Sequence, residues 1–196
     1  MRDKKYEIDM LNGPLAGKLL LFALPLMASS LLQLLFNAAD VVVVGRYAGK
    51  EALAAVGSTS SLINLLVNLF VGLSAGANVT AARYLGANDR EGVSATVQTS
   101  ITIALASGLV LTLIGSLLSR QMLVLMSSPA DVIDLAALYL KIYFLGMPAN
   151  MLYNFGAALL RAQGDTRRPL YFLAVAGVVN VALNLFFVIV FHMSVA

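Results

Sequence analysis

Asp40 is the one carboxylate set well inside a long apolar run, LLQLLFNAADVVVVG over 31–45. A charged Asp at the centre of a membrane helix costs roughly 2.5–3.5 kcal/mol on insertion scales, so such residues face a partner or a watery pathway. An ion or substrate pathway is the default reading of such a residue. Its place toward the end of the run leaves a second reading, an Asp at the membrane boundary where the cost is small. Gln33 and Asn37 precede it at spacings of four and three, so the three share one helix face. Amides then recur four apart at Asn64 and Asn68, at Asn150 and Asn154, and at Asn180 and Asn184. Amides in membrane helices turn toward other helices or water, either as interhelical glue or as the lining of a polar cavity. Together with Asp40, the set favours a cavity.

Other chemistries find no footing. The chain has no cysteine, which rules out disulfides and thiolate metal sites. Its one histidine, His192, has no second His or carboxylate nearby and reads as an interfacial residue. There is no Ser-His-Asp or Cys-His set and no phosphate-binding glycine loop. The net charge of +3 comes from loop lysines and arginines without interleaved aromatics, so nucleic acid is not a partner. An enzyme is not expected, and neither is a resident cofactor or metal.

The elements that position these residues are membrane helices. Hydrophobic residues make up 60% of the chain and charged ones 12%, against about 25% charged in a soluble domain. The apolar blocks predict an all-α polytopic bundle with five spans, at 15–44, 52–84, 93–118, 135–160 and 169–191. Each is long enough for the ~20 residues that cross a bilayer. Residues 1–14, MRDKKYEIDMLNGP, are too polar to insert and form a cytoplasmic or interfacial segment ahead of the transmembrane part, 15–196. With the N-terminus inside, nine Lys and Arg fall on the cytoplasmic side (Arg2, Lys4, Lys5, Lys18, Arg83, Arg90, Arg161, Arg167, Arg168) and three outside (Arg46, Lys50, Arg120). The positive-inside rule sets that orientation. At 1.5 Å per residue, Asp40 then lies roughly 12–15 Å outward of the middle of its span, and Asn184 about 6 Å outward of its own. Asp40, Asn180 and Asn184 would converge if the first and fifth spans pack together. Asn154 lies toward the inner side and fits that cluster less well.

Pro25 interrupts the first span and removes a backbone hydrogen bond, which makes it a kink or hinge candidate. Pro148, beside Gly146, does the same in the fourth. Gly72 and Gly76 form a small-residue step whose main use is close helix packing. Five is an odd number of spans, and no internal repeat is visible. The chain is therefore expected to be the front part of a longer protein, with an oligomer of a small complete protein as the other reading.

Five stretches carry a resemblance: LPLMASSLLQLLFNAADVVVVGRYAG, LAAVG, ARYLGANDREG, LLRAQGDTRRPL and NVALNLFFVIV. In this order and spacing they resemble the multidrug and toxic compound extrusion (MATE) family, from about Lys18 to the end. The resemblance implies a fold of twelve helices in two lobes, of which this chain would be the first five helices of the N-terminal lobe. The remaining C-terminal lobe, a small-molecule substrate and the bilayer are then its partners. It implies export of drugs, organic cations or metabolites across the plasma membrane, driven by inward proton or sodium flow. Asp40 matches the first-helix carboxylate used for cation coupling, and Asn180 an amide at the same site. Gln33 and Pro25 match the first-helix polar position and bend, and Asn37 and Asn154 join Gln33 as substrate-cavity candidates. Asn184 departs from the pattern, where an aspartate often stands. A lipid-linked sugar flippase of related architecture is the alternative; it would call for a more basic cavity. A structural helical fragment without transport is a further one, though it has no use for Asp40.

Overall fold

The computed structural model describes residues 6, 8, 15–130 and 132–190, with 47–49, 51, 52 and 188–190 given by backbone alone. The rest of segment 1–14, and His192 with its neighbours in 191–196, lie outside the described residues. Six α-helices follow one another: α1 (Leu15–Val43), α2 (Gly49–Gly86), α3 (Arg90–Leu125), α4 (Ile133–Leu145), α5 (Met147–Ala162) and α6 (Arg167–Val190). Four of them are long and apolar enough to cross a membrane, and the bent pair α4–α5 makes a fifth span. With the bent pair taken as one span, the five expected spans are present, each within a few residues of its predicted bounds except at the C-terminal end of the third, where α3 runs on from the predicted 118 to Leu125.

A π-helical turn, Val44–Ala48, follows α1 and leads directly into α2. One local expectation changes: Pro25 does not interrupt the first span, because it lies within one continuous helix. The break expected at Pro148 is present: the fourth span is two helices bent by 48° at Gly146. Pro148, in the first turn of α5, has no N–H to return to the Phe144 carbonyl, the acceptor four residues back. Thr112 of α3 offers a donor in its place, its single hydroxyl proton shared between that carbonyl at 2.8 Å and the Gly108 carbonyl of its own helix at 3.0 Å.

The helices sort into two groups. α2, α3, α4 and α5 enclose the core, where Leu62 and Ile63 meet Leu111, Leu140, Phe144, Met151 and Phe155. In lipid no hydrophobic force drives this association, so close van der Waals packing and interhelical hydrogen bonds hold it. One such bond runs from Asn78 Nδ2 on α2 to the Ala158 carbonyl on α5, at 2.6 Å. α1 and α6 pack chiefly on each other. Val43 is the one buried residue of α1, and its leucines point outward, as expected for a lipid-facing helix. The expected packing step at Gly72 and Gly76 is not used among the described residues: a Cβ built on either meets nothing within 4 Å there. The spacing marks a small face without saying which neighbour covers it.

The Thr112 bond gives a direct test of the α4–α5 bend. Thr112→Val keeps the volume and removes the donor. An interhelical hydrogen bond in a membrane is worth about 0.6–1.7 kcal/mol. The thermal midpoint of the detergent-solubilised protein should fall by a few degrees, and Thr112→Ser should restore most of it.

Candidate functional site

Asp40 sits near the C-terminal end of α1, and its carboxylate points at α6. Asn184 Nδ2 donates to Asp40 Oδ1 at 2.9 Å. Asn180 stands one turn earlier on the same face of α6. With its amide nitrogen turned to the carboxylate, it donates to Oδ1 at 3.2 Å and Oδ2 at 3.3 Å. The convergence follows from the packing of α1 on α6. Gly177 lies one turn before Asn180, and the Phe36 ring of α1 rests where a Cβ on Gly177 would be. Phe36 itself precedes Asp40 by one turn. A bare glycine on one helix and a ring on the other thus set the two helices close enough for short amide side chains to reach the carboxylate.

The site is half-buried at Asp40 and Asn184, with Asn180 more open. Among the described residues no Lys or Arg forms an ion pair with Asp40. Its charge is met by amide dipoles alone. Those amides serve either protonation state, because an Asn offers both donor and acceptor atoms. A charged carboxylate accepts from Nδ2. A protonated one donates to an amide Oδ1, and a small hard cation would be met by carboxylate and amide oxygens together. No group of three or more His, Cys, Asp or Glu able to hold a metal exists among the described residues.

Tyr139 and Tyr143 of α4, four apart, are half-buried, with ring centroids 6.2 Å from each other.

The remaining candidates are not joined to Asp40. Gln33 and Asn37 share its helix face but are exposed. Asn154 is half-buried and turns back within α5, with its Nδ2 2.7 Å from Asn150 Oδ1 and 2.9 Å from the Asn150 carbonyl. Asn64 and Asn68 are exposed on α2. Pro25 lies four turns before Asp40 on the same helix, and Ser29 Oγ donates to its carbonyl at 2.8 Å.

Known proteins place the chain in a family. The MatE family model matches residues 25–186. The Bacillus subtilis protein named probable multidrug resistance protein YoeA is 37% identical over 163 residues, covering 83% of this chain and 35% of that protein. A second protein from B. subtilis, named probable multidrug resistance protein YpnP, is 30% identical over 188 residues, 96% of this chain and 42% of its own length. A solved structure described as the outward-facing conformation of a multidrug resistance MATE family transporter of the MOP superfamily superposes with a TM-score of 0.84 at 26% identity. The match covers 91% of this chain and 39% of that one. The chain therefore spans about two fifths of the length of these relatives. A family match over most of the chain, and a shared helix arrangement with it, show that this chain belongs to the MatE family of multidrug efflux transporters.

Proposed function

We propose that this chain supplies the ion-coupling half-site of an antiporter that exports drugs, organic cations or related metabolites. Asp40 is the coupling group, and the inward flow of protons or sodium is the driving force. The observation that carries this reading is the Asp40 carboxylate held by two amides of α6 with no basic partner among the described residues. A carboxylate neutralised by Lys or Arg has little use for a transported cation, whereas one held by amides retains its affinity for one. Asn180 and Asn184 hold it. In the charged state the carboxylate ties α1 to α6. Binding a proton or sodium ion changes that tie and favours a different packing of α1, to the extent that the ion prefers one state over the other. The site is reached from outside, in a plasma-membrane protein whose N-terminus is cytoplasmic. Gln33 and Asn37, on the same face of α1, line the substrate path. None of the side chains that meet at Asp40 is positive, so nothing there matches the phosphate of a lipid-linked sugar.

The test is reconstitution of the protein that carries this sequence into proteoliposomes loaded with a fluorescent organic cation. Efflux should follow an imposed inward proton or sodium gradient and stop when that gradient is collapsed. Dye movement independent of both gradients would overturn the reading. The Asn184→Asp variant refines it. The new carboxylate would stand about 3 Å from Asp40, and two carboxylates so close share one proton. Transport should persist with a changed pH or sodium dependence. Unchanged dependence on both would remove Asn184 from the coupling site.

A further inference from the structure

Lys141 is a charge inside a membrane span for which ion coupling has no use. It sits on α4, the first half of the bent fourth span. Ile133, Ala136, Ala137, Leu140 and Phe144 are the buried residues of that helix. Lys141 is exposed on its other side, together with Leu138, Ile142 and Leu145. At 3.6 residues per turn these four fall within one arc of roughly 100°. Apart from the lysine that arc is apolar from Leu138 to Leu145, as a surface turned to lipid is. No Asp or Glu among the described residues forms an ion pair with Lys141. Asp134, two turns nearer the start of α4, is taken by Arg120 of α3 at 3.2 Å.

Depth decides what the ammonium can reach. The fourth span runs from Ile133 to Ala162, so its middle falls between Met147 and Pro148. Lys141 is then about 10 Å from the middle along the helix, and about 5 Å short of the edge of a hydrocarbon core ~30 Å thick. A lysine stem covers that distance, with its methylenes along the helix and its head in the headgroup layer. The helix also aims it. A Cα–Cβ bond tilts toward the N-terminus of its own helix, and the N-terminus of α4 is the nearer membrane surface in either orientation of the protein. The anion available at that level beside an apolar face is a phospholipid phosphate, an acceptor suited to an ammonium. We propose that Lys141 binds the phosphate of one phospholipid headgroup on the lipid-facing side of α4, in the leaflet where α4 begins. Ile142 and Leu145, deeper on the same face, lie along the acyl chains of that lipid. The site goes beyond the coupling reading, because it concerns the lipid that α4 holds and not the ion that Asp40 binds.

The test is lipid titration of the protein that carries this sequence, solubilised in a phosphate-free detergent and read by native mass spectrometry. Two lipids with the same dioleoyl chains are compared, phosphatidylglycerol and a diglucosyl glycerolipid that has no phosphate. Lys141→Leu should weaken binding of the first phosphatidylglycerol about fivefold and leave the glycolipid unchanged. Leucine suits a lipid-facing helix position, so this variant keeps the fold. Lys141→Arg keeps the charge and can clamp a phosphate through two N–H groups, so it should bind phosphatidylglycerol at least as tightly as wild type. Equal phosphatidylglycerol binding in wild type and Lys141→Leu overturns the proposal. If the thermal midpoint in lipid-free detergent falls in that case, a carboxylate of the remaining chain is the partner of Lys141 instead. An equal loss for both lipids also overturns it, because packing and not phosphate would then be the cause. The ion-coupling role of Asp40 is read by efflux and stands or falls separately.

Discussion

Asp40→Asn is expected to bring ion-driven efflux down to the level of empty liposomes while the protein still reaches the membrane. Asparagine matches aspartate in size and can still pair with Asn184 and Asn180 through its own amide. The apolar contact between α1 and α6 is untouched, including Phe36 against Gly177. What is lost is a group that binds a proton or presents a full charge to sodium. Removing an uncompensated charge from a membrane helix also favours insertion, so loss of transport cannot be put down to failed expression. The measurement is gradient-driven dye efflux in proteoliposomes at matched protein content. Wild-type rates in this variant would remove the coupling role and leave Asp40 as a boundary residue.

Gly108→Leu is expected to give the largest loss of stability. Gly108 lies on α3 where α5 begins, and a Cβ there would fall 2.5 Å from Pro148 Cα and 2.9 Å from its N. These are backbone atoms at the α4–α5 bend and cannot rotate aside. Overpacking of this kind typically costs about 1–3 kcal/mol or more, above the ~1 kcal/mol that replacing glycine gains in helix propensity. The bond from Thr112 to Phe144, one turn along α3, would be strained with it. Gly76→Leu is the matched control. It carries the same propensity gain, and its Cβ meets nothing within 4 Å among the described residues. Thermal unfolding of the two variants in the same detergent should differ by several degrees, with Gly108→Leu lower. Equal midpoints would show that α3 and α5 are not in close contact at Pro148.

These two glycines show how far local sequence carries. Gly72 and Gly76 have the recognisable glycine spacing and meet nothing among the described residues, whereas Gly108, Gly115 and Gly177, none of them four from another glycine, receive Pro148, Phe144 and Phe36. Spacing describes one helix, and contact needs two. The asparagines divide in the same way. Three pairs share the i, i+4 spacing, yet Asn180 and Asn184 hold a carboxylate, Asn150 and Asn154 bond to each other, and Asn64 and Asn68 stay exposed. Asn78, with no such partner in sequence, is the one that ties α2 to α5. Hydrophobicity and helical rise act along the chain. They determined the spans and made Asp40 the residue to watch. The break at Gly146 was also legible, because a proline lacks its N–H whatever surrounds it. The tertiary structure decided that α1 packs on α6, which brings together residues 144 positions apart. It decided too that Gln33 and Asn37 stay exposed and apart from that cluster. In a bilayer every apolar helix face suits lipid about as well as another helix, so hydrophobic pattern selects no partner. The choice rests on which small residues and which rings fit each other, and only the folded chain holds that information.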